Sequence, residues 1–207
     1  MIFSSLAVTK FIYLASQSPR RAQLLAQLGV HYELLLPDAS EDTELLEEVL
    51  HNEAPLHYVR RVTQLKLDAA LQRLKRRGLP AAPVLCSDTT VARGRLIYAK
   101  PADAPGARRM LTELSNTTHR VLTAVAIGTP RKREQAVSES RVTFADMSRH
   151  QIQAYVASGE PMGKAGAYAV QGRAAAFISR IDGSYSGIMG LPMYETAQLL
   201  RFFGFKV

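Results

Sequence analysis

The sequence has few of the features that mark secreted or membrane-spanning proteins. Cysteine occurs once, as Cys86, so the chain cannot form an internal disulfide, and no cysteine–histidine spacing of a zinc site is present. The first residues lead into an apolar stretch without a small-residue cleavage pattern. No apolar run reaches the roughly 20 residues that a membrane helix needs. We therefore expect a cytoplasmic protein that does not enter the membrane.

Tryptophan is absent, and acidic residues are outnumbered, with 18 Asp and Glu against 26 Lys and Arg and a formal net charge of +8. Excess positive charge attracts polyanions, which include triphosphates, nucleic acid and acidic lipid. The two basic clusters, residues 73–77 and 131–133, contain no aromatic side chains on which single-stranded bases could stack. We interpret both clusters as solvated surface, which argues against a nucleic-acid partner.

Helix and strand patterns alternate along most of the 207 residues, and a hydrophobic content of 47% is enough for a sizeable core. A long helix is expected over residues 55–77, where Pro55 suits a first helical position and Gly78 a helix end. The later strands can pair antiparallel. The pattern predicts one domain, residues 1–207, built on a mixed β-sheet with flanking helices. The expected strands are residues 11–15, 32–36, 83–86, 119–127, 135–144 and 174–181.

Lys66 interrupts the apolar face of the long helix. At about 100° per residue, Val59, Val62 and Leu67 share a face on which Lys66 lies near the middle. Burying an unpaired ammonium costs several kcal/mol, so the side chain either extends to solvent or meets an anion in a cleft. We expect Lys66 to point into a cleft, and we expect Lys66→Met to leave thermal stability equal or higher, because the mutation removes a costly charge from an apolar face.

Three other segments carry residue types suited to phosphate or nucleobase chemistry. Residues 16–21, SQSPRR, join a strand to a helix, where free N–H groups and arginine forks suit an anion. Asp88 follows the strand predicted at 83–86, so it is either a general base or metal ligand or a turn cap. Gln171 can donate and accept at a base edge, or belong to an ordinary loop.

Together these segments resemble the Maf family of nucleoside triphosphate pyrophosphatases. The motifs follow in the same order over residues 11–203: YLASQSPRRAQLLAQLG at 13–29, SDTTV at 87–91, AKP at 99–101, KAGAYAVQG at 164–172 and GSYSGIMGLP at 183–192. The resemblance implies an α/β fold related to inosine-triphosphate pyrophosphatases. In that fold a mixed sheet is divided between two lobes, and the active-site cleft lies between them.

The resemblance also assigns roles to particular residues. Asp88 would accept a proton and, with Glu41, hold a divalent cation, Mg²⁺ or Mn²⁺. Gly163 stands where the family usually has an acidic residue. Arg20, Thr89 and Gln171 match the subtype that hydrolyses dTTP and UTP. The polyphosphate would be bound by Ser16, Arg20, Arg21, Lys66, Lys100 and Lys164.

The expected reaction is therefore hydrolysis of dTTP, UTP or modified pyrimidine triphosphates to the monophosphate and pyrophosphate. Three alternatives stay open at this point: the family's 7-methyl-GTP subtype, a nucleotide sensor that does not cleave, and a basic nucleic-acid-binding regulator. The sequence leaves the oligomeric state open, a homodimer included.

Overall fold

The computed structural model describes residues 10–38, 41 and 45–207. None of the helices within these ranges is long and apolar enough to span a membrane. Short 3₁₀ helices lie at Leu45–Glu47, Ala165–Ala167 and Arg173–Phe177. The strands are β1 Ile12–Leu14, β2 Tyr32–Leu34, β3 Val84–Arg93, β4 Leu96–Tyr98, β5 Thr118–Gly128, β6 Arg133–Phe144 and β7 Ile178–Asp182. The α-helices are α1 Pro19–Gln27, α2 Pro55–Arg76, α3 Ala104–Leu114, α4 Arg149–Ala157, α5 Tyr185–Met189 and α6 Met193–Phe202.

The strands form one mixed sheet in the order β2-β1-β3-β5-β6-β7, and β4 pairs with β3. Strand β1 runs parallel to both β2 and β3, whereas the remaining pairs are antiparallel. The mixed α/β sheet with flanking helices that the sequence predicts is confirmed.

Strand β3 has one continuous edge and one interrupted edge. It pairs with β5 over residues 84–92. On its other edge it pairs with β1 at Val84 and Leu85 and with β4 at Val91–Arg93. Between those two pairings, no strand in the described ranges covers this edge. The sheet is therefore split at the middle of β3, where Asp88 lies.

The prediction that the strand ends before Asp88 is wrong. The residues Ser87 to Thr90 have the composition of a turn, but their pairing with β5 continues the extended backbone to Arg93. Long-range ladder hydrogen bonds outweigh local turn chemistry here.

The prediction of a strand over residues 174–181 is also wrong for the first half of that range. Residues Arg173–Phe177 form a 3₁₀ helix, and β7 begins only at Ile178. Three successive alanines, 174–176, lack the branched or aromatic side chains that favour extended pairing.

Buried apolar residues pack against the sheet on both sides of the split. Around β1 and the first half of β3, helix α2 packs on one face and helices α1 and α6 pack on the other. Around the second half of β3, the core is formed largely with helices α3 and α4. The split therefore opens as a cleft between two packed halves of one sheet.

Candidate functional site

A cavity of about 970 Å³ lies at the interrupted edge of β3. Six basic side chains and two carboxylates are among its lining residues, a formal balance of +4. Such a surplus of cations lining a cleft attracts a polyanion. The charged lining residues are Arg20, Arg21, Glu47, Lys66, Arg73, Asp88, Lys100 and Lys164.

Lys66 joins two carboxylates at the centre of the cavity. Its Nζ lies 2.5 Å from Asp88 Oδ1 and 2.7 Å from Glu47 Oε1. Lys100 Nζ donates to the other carboxylate oxygen of Glu47 at 2.6 Å. We call these four residues the Lys66 cluster. The Asp88 side chain is 9% exposed and that of Lys66 is 19% exposed, so the central pair is largely shielded from water.

Lys66 and Glu47 are held in their charged forms. Burial lowers the pKa of Lys66, but the carboxylates of Asp88 and Glu47 outweigh burial and raise it above its ordinary value. Burial raises the pKa of Glu47, and Lys66 and Lys100 outweigh that effect and lower it. Of the two interpretations of Lys66 made from the sequence, the structure supports the one in which the ammonium meets an anion.

Successive strand residues point to opposite sides of a sheet, so Ser87 lies on the face of β3 opposite to Asp88. That face carries a second set of contacts. Ser87 Oγ donates to the carbonyl oxygen of Gly190 at 2.9 Å. Arg21 Nε donates to the same carbonyl at 2.8 Å, and Arg21 Nη1 donates to Ser16 Oγ at 3.3 Å. Burial lowers the pKa of Arg21. The guanidinium is thereby fixed beside β3 at the start of α1.

Thr89 lies on this second face and also lines the cavity. Its hydroxyl oxygen is 3.0 Å from that of Thr123, whose hydroxyl donates to the carbonyl oxygen of Gly187 at 2.7 Å. Thr89 is thus tied to β5 and to α5, one residue from Asp88.

Three predicted site residues are placed in the lining without a polar side-chain partner. The side chains of Arg20 and Gln171 make no hydrogen bond within the described residues, and Lys164 Nζ donates only to the carbonyl oxygen of Met162 at 3.3 Å. Burial lowers the pKa of Lys164, and the positive charge of Arg20 lowers it further. Cations that repel each other, with no carboxylate paired to them in the part of the chain described, are suited to bind an anion.

Glu41, predicted to hold a metal, lies outside the cavity lining. Arg73 donates to both of its carboxylate oxygens at 2.6–3.0 Å, and Arg76 donates to one at 2.6 Å. The two arginines lower the pKa of Glu41, above all through the hydrogen bond from Arg73. The carboxylate that the structure brings to Asp88 is instead Glu47. The metal role of Glu41 stays a prediction.

Sequence reasoning missed Glu47 because several acidic residues occur in the segment 37–52 and none has a distinctive spacing. A useful signal would have been a second anion for Lys66, since a buried ammonium requires compensation.

Within the described ranges, no group of three or more His, Cys, Asp or Glu side chains is arranged to hold a metal ion.

The fold and the cavity define an α/β protein with a cationic cleft around a shielded aspartate. Residues 11–203 match the family model of the Maf-like proteins, and the chain belongs to the Maf family. A dTTP/UTP pyrophosphatase of Albidiferax ferrireducens is 79% identical over 97% of this chain and 100% of that protein. Proteins of the same name from Polaromonas sp. and Cupriavidus metallidurans are 68% and 64% identical, over 95% and 94% of this chain and 98% and 97% of theirs.

Two solved structures of HAM1 proteins are more distant. The one from Coxiella burnetii is 15% identical, covers 93% of this chain and 98% of its own, and has a TM-score of 0.49. The one from Staphylococcus aureus is also 15% identical, covers 66% of this chain and 73% of its own, and has a TM-score of 0.44. Similarity at this level supports no inference about substrate.

Proposed function

We propose that this protein hydrolyses dTTP and UTP to the nucleoside monophosphate and pyrophosphate. The observation that carries the proposal is Asp88, shielded and paired with Lys66, in a cavity whose charged lining residues are mostly cationic. A nucleoside triphosphate carries the complementary charge. The family and the names of the relatives support the same reaction. A cytoplasmic location is part of this proposal, because nucleoside triphosphates are cytoplasmic substrates.

Asp88 would orient or deprotonate the water that attacks the α-phosphorus. A general base must lie within hydrogen-bond reach of the proton it accepts, and Asp88 lies at the open edge of β3 where a water can approach. Charge that develops on the leaving pyrophosphate needs fixed cations. The residues that would supply them are Arg20, Arg21, Lys66, Lys100 and Lys164, with the hydroxyl of Ser16 at the start of α1.

The Lys66 cluster has to rearrange when the substrate binds. One carboxylate oxygen of Asp88 and both of Glu47 are engaged by lysines. Phosphate oxygens would give Lys66 and Lys100 new anionic partners and so release the two carboxylates. The flexible lysine stem allows such an exchange at low cost.

Maf-family pyrophosphatases generally use a divalent metal, and the pair Asp88 and Glu47 fits one. Both carboxylates reach the same ammonium nitrogen, so their oxygens converge on one point. Mg²⁺ is usually held by one or two carboxylates together with substrate phosphates. A bound cation would neutralise phosphate charge and lower the barrier to attack. We therefore propose Asp88 and Glu47 as its protein ligands in place of the pair Asp88 and Glu41.

The pyrimidine would be recognised by Gln171, with Thr89 and Arg20 adding shape and charge. Uracil and thymine present two carbonyl acceptors beside one N–H donor. A glutamine amide offers one donor and one acceptor in a plane, so it can pair with a carbonyl and N3–H together. Gln171 lines the cavity and has no hydrogen-bond partner within the described residues.

The test is product analysis with UTP, dTTP, GTP and 7-methyl-GTP, each with Mg²⁺ or Mn²⁺. We expect monophosphate and pyrophosphate, and a kcat/KM for UTP and dTTP at least about tenfold above GTP, roughly 1.4 kcal/mol of differential transition-state binding. Release of orthophosphate would contradict the reaction. A preference for 7-methyl-GTP would assign the other subtype, and binding without turnover would indicate a sensor or regulator.

A further inference from the structure

Gln171 belongs to a segment, residues 160–173, that is anchored to the protein at several points. Gly166 packs so closely on β3 that a Cβ atom there would lie 2.8 Å from Val91 Cγ1. The hydroxyl of Tyr168 lies 2.8 Å from Nε2 of the buried His119. These contacts fix the middle of the segment, between Lys164 and Gln171.

The end of the segment is anchored by Glu160. Its Oε2 accepts from the backbone N–H of Arg173 at 3.1 Å, and its Oε1 accepts from the hydroxyl of Tyr155 at 2.8 Å. Tyr155 lies on α4 and is 3% exposed, so it ties the carboxylate to the core. Glu160 thus connects α4 to the backbone two residues beyond Gln171.

Gly172 allows this contact. A Cβ atom at this position would lie 2.3 Å from Glu160 Oε1, closer than any real contact, so the backbone approaches the carboxylate as only glycine permits. The N–H of Gly172 donates to the carbonyl oxygen of Ala169 at 3.0 Å. Gln171 therefore lies in a tight turn, and the backbone that follows it contacts the carboxylate of Glu160.

The direction of the Gln171 side chain depends on this backbone, because the side chain is exposed and has no hydrogen bond of its own among the described residues. We propose that Glu160, together with Tyr155, is a positioning residue that holds Gln171 in the orientation that selects a pyrimidine base. This inference rests on the proposed function and names a determinant of its specificity.

The electrostatics of Glu160 agree with an anchoring role. Burial raises the pKa of Glu160, but the N–H of Arg173 and the hydroxyl of Tyr155 outweigh burial and lower it. The carboxylate is ionised at neutral pH, and hydrogen bonds to an ionised acceptor are stronger than those to a neutral one.

The central experiment measures kcat/KM for UTP and for GTP in Glu160→Ala and Glu160→Gln. Loss of the anchor in Glu160→Ala should lower the UTP-to-GTP ratio about fivefold to tenfold, chiefly through KM for UTP, because a misplaced amide loses its pairing with the base. Glu160→Gln keeps an acceptor for Arg173 and a group that can pair with Tyr155, so it should retain most of the ratio. The matched control is Glu139→Gln, an exposed carboxylate on β6 that should leave the ratio unchanged.

A double mutant separates positioning from a general structural role. If Glu160 acts through Gln171, adding Glu160→Ala to Gln171→Ala should lower the ratio no further. An unchanged ratio in Glu160→Ala, or an equal fall for UTP and GTP, would overturn the inference while leaving the proposed function intact. Should Glu160→Ala fail to fold, Tyr155→Phe removes only the hydroxyl that holds Glu160. A lower UTP-to-GTP ratio in Tyr155→Phe would then support the inference, and an unchanged ratio would overturn it. A wild type that cleaves no triphosphate would instead contradict the proposed function.

Discussion

Helix α2 carries two ion-pair clusters on the same face, since Lys66 and Arg73 are seven residues, or about two turns, apart. The first is the Lys66 cluster, in which one ammonium is shared between Asp88 and Glu47. In the second, Arg73 is 3% exposed and holds Glu41 with its guanidinium while donating to the carbonyl oxygen of Leu35 at 2.9 Å. We call this second group the Arg73 cluster.

The difference between them lies in the cation. A guanidinium binds a carboxylate through a planar fork, and a buried fork that also reaches a backbone carbonyl has little freedom. An ammonium is a point charge on a flexible stem and can change partners when a stronger anion arrives. The Arg73 cluster therefore fastens Glu41 to α2, whereas the proposed function requires a triphosphate to open the Lys66 cluster. Under the proposed function, similar residue types would serve stability in one place and chemistry in the other.

Asp88→Asn should have the largest effect on activity. Turnover of UTP should fall at least about a hundredfold, as is usual when a general base is lost, while thermal unfolding stays near that of the wild type. Steady-state kinetics and a melting curve measure both. Asp146→Asn, an exposed aspartate before α4, is the control and should match the wild type. Near-normal activity in Asp88→Asn would contradict the catalytic role proposed for Asp88 in the Lys66 cluster.

Lys66→Met should lower kcat/KM by roughly ten- to a hundredfold, the worth of a charge-assisted hydrogen bond to phosphate. It should also lower the melting temperature at neutral pH, because Asp88 and Glu47 then face each other without their shared cation. Added Mg²⁺ should restore part of the lost stability. This reverses the expectation from the sequence that Lys66→Met leaves thermal stability equal or higher. A mutant that is more stable without metal would contradict the pairing.

Glu47→Gln and Glu41→Gln compare the two clusters directly. Glu47→Gln should raise the Mg²⁺ concentration needed for half-maximal activity about tenfold, in line with the effect of disturbing a metal site. Glu41→Gln should leave that concentration unchanged but destabilise the protein by about 2 kcal/mol, since Arg73 loses its charged acceptor. A magnesium titration and denaturant unfolding of both variants provide the measurement. The opposite pattern would return the metal role to Glu41.

Gln171→Glu should have the smallest effect, a shift in selectivity with catalysis retained. An ionised glutamate can only accept hydrogen bonds, so it loses the pairing with a pyrimidine carbonyl and suits the donor edge of guanine. The ratio of kcat/KM for UTP to that for GTP should fall about fivefold to tenfold, within the cost of an unpaired polar group. Loss of activity with every nucleotide would show that residue 171 acts on the chemistry rather than on the base.

The sequence by itself determined what depends on neighbours along the chain. The long amphipathic pattern and its proline start specify α2, and the observed helix Pro55–Arg76 differs from the expected 55–77 by one residue. The ordered motifs over residues 11–203 identified the Maf family, which the family match confirms. Lys66 could be singled out because a charge on an apolar face conflicts with a local rule.

Only the tertiary structure decided which residues meet. The continuation of β3 through Asp88 depends on its ladder with β5, more than 30 residues away in the chain. Glu47 and Glu41 lie in the same acidic stretch of the sequence, and only the fold pairs Glu47 with Lys66 and Glu41 with Arg73. Local propensity cannot separate such alternatives, because the free energy that distinguishes them comes from burial and charge pairing between distant residues.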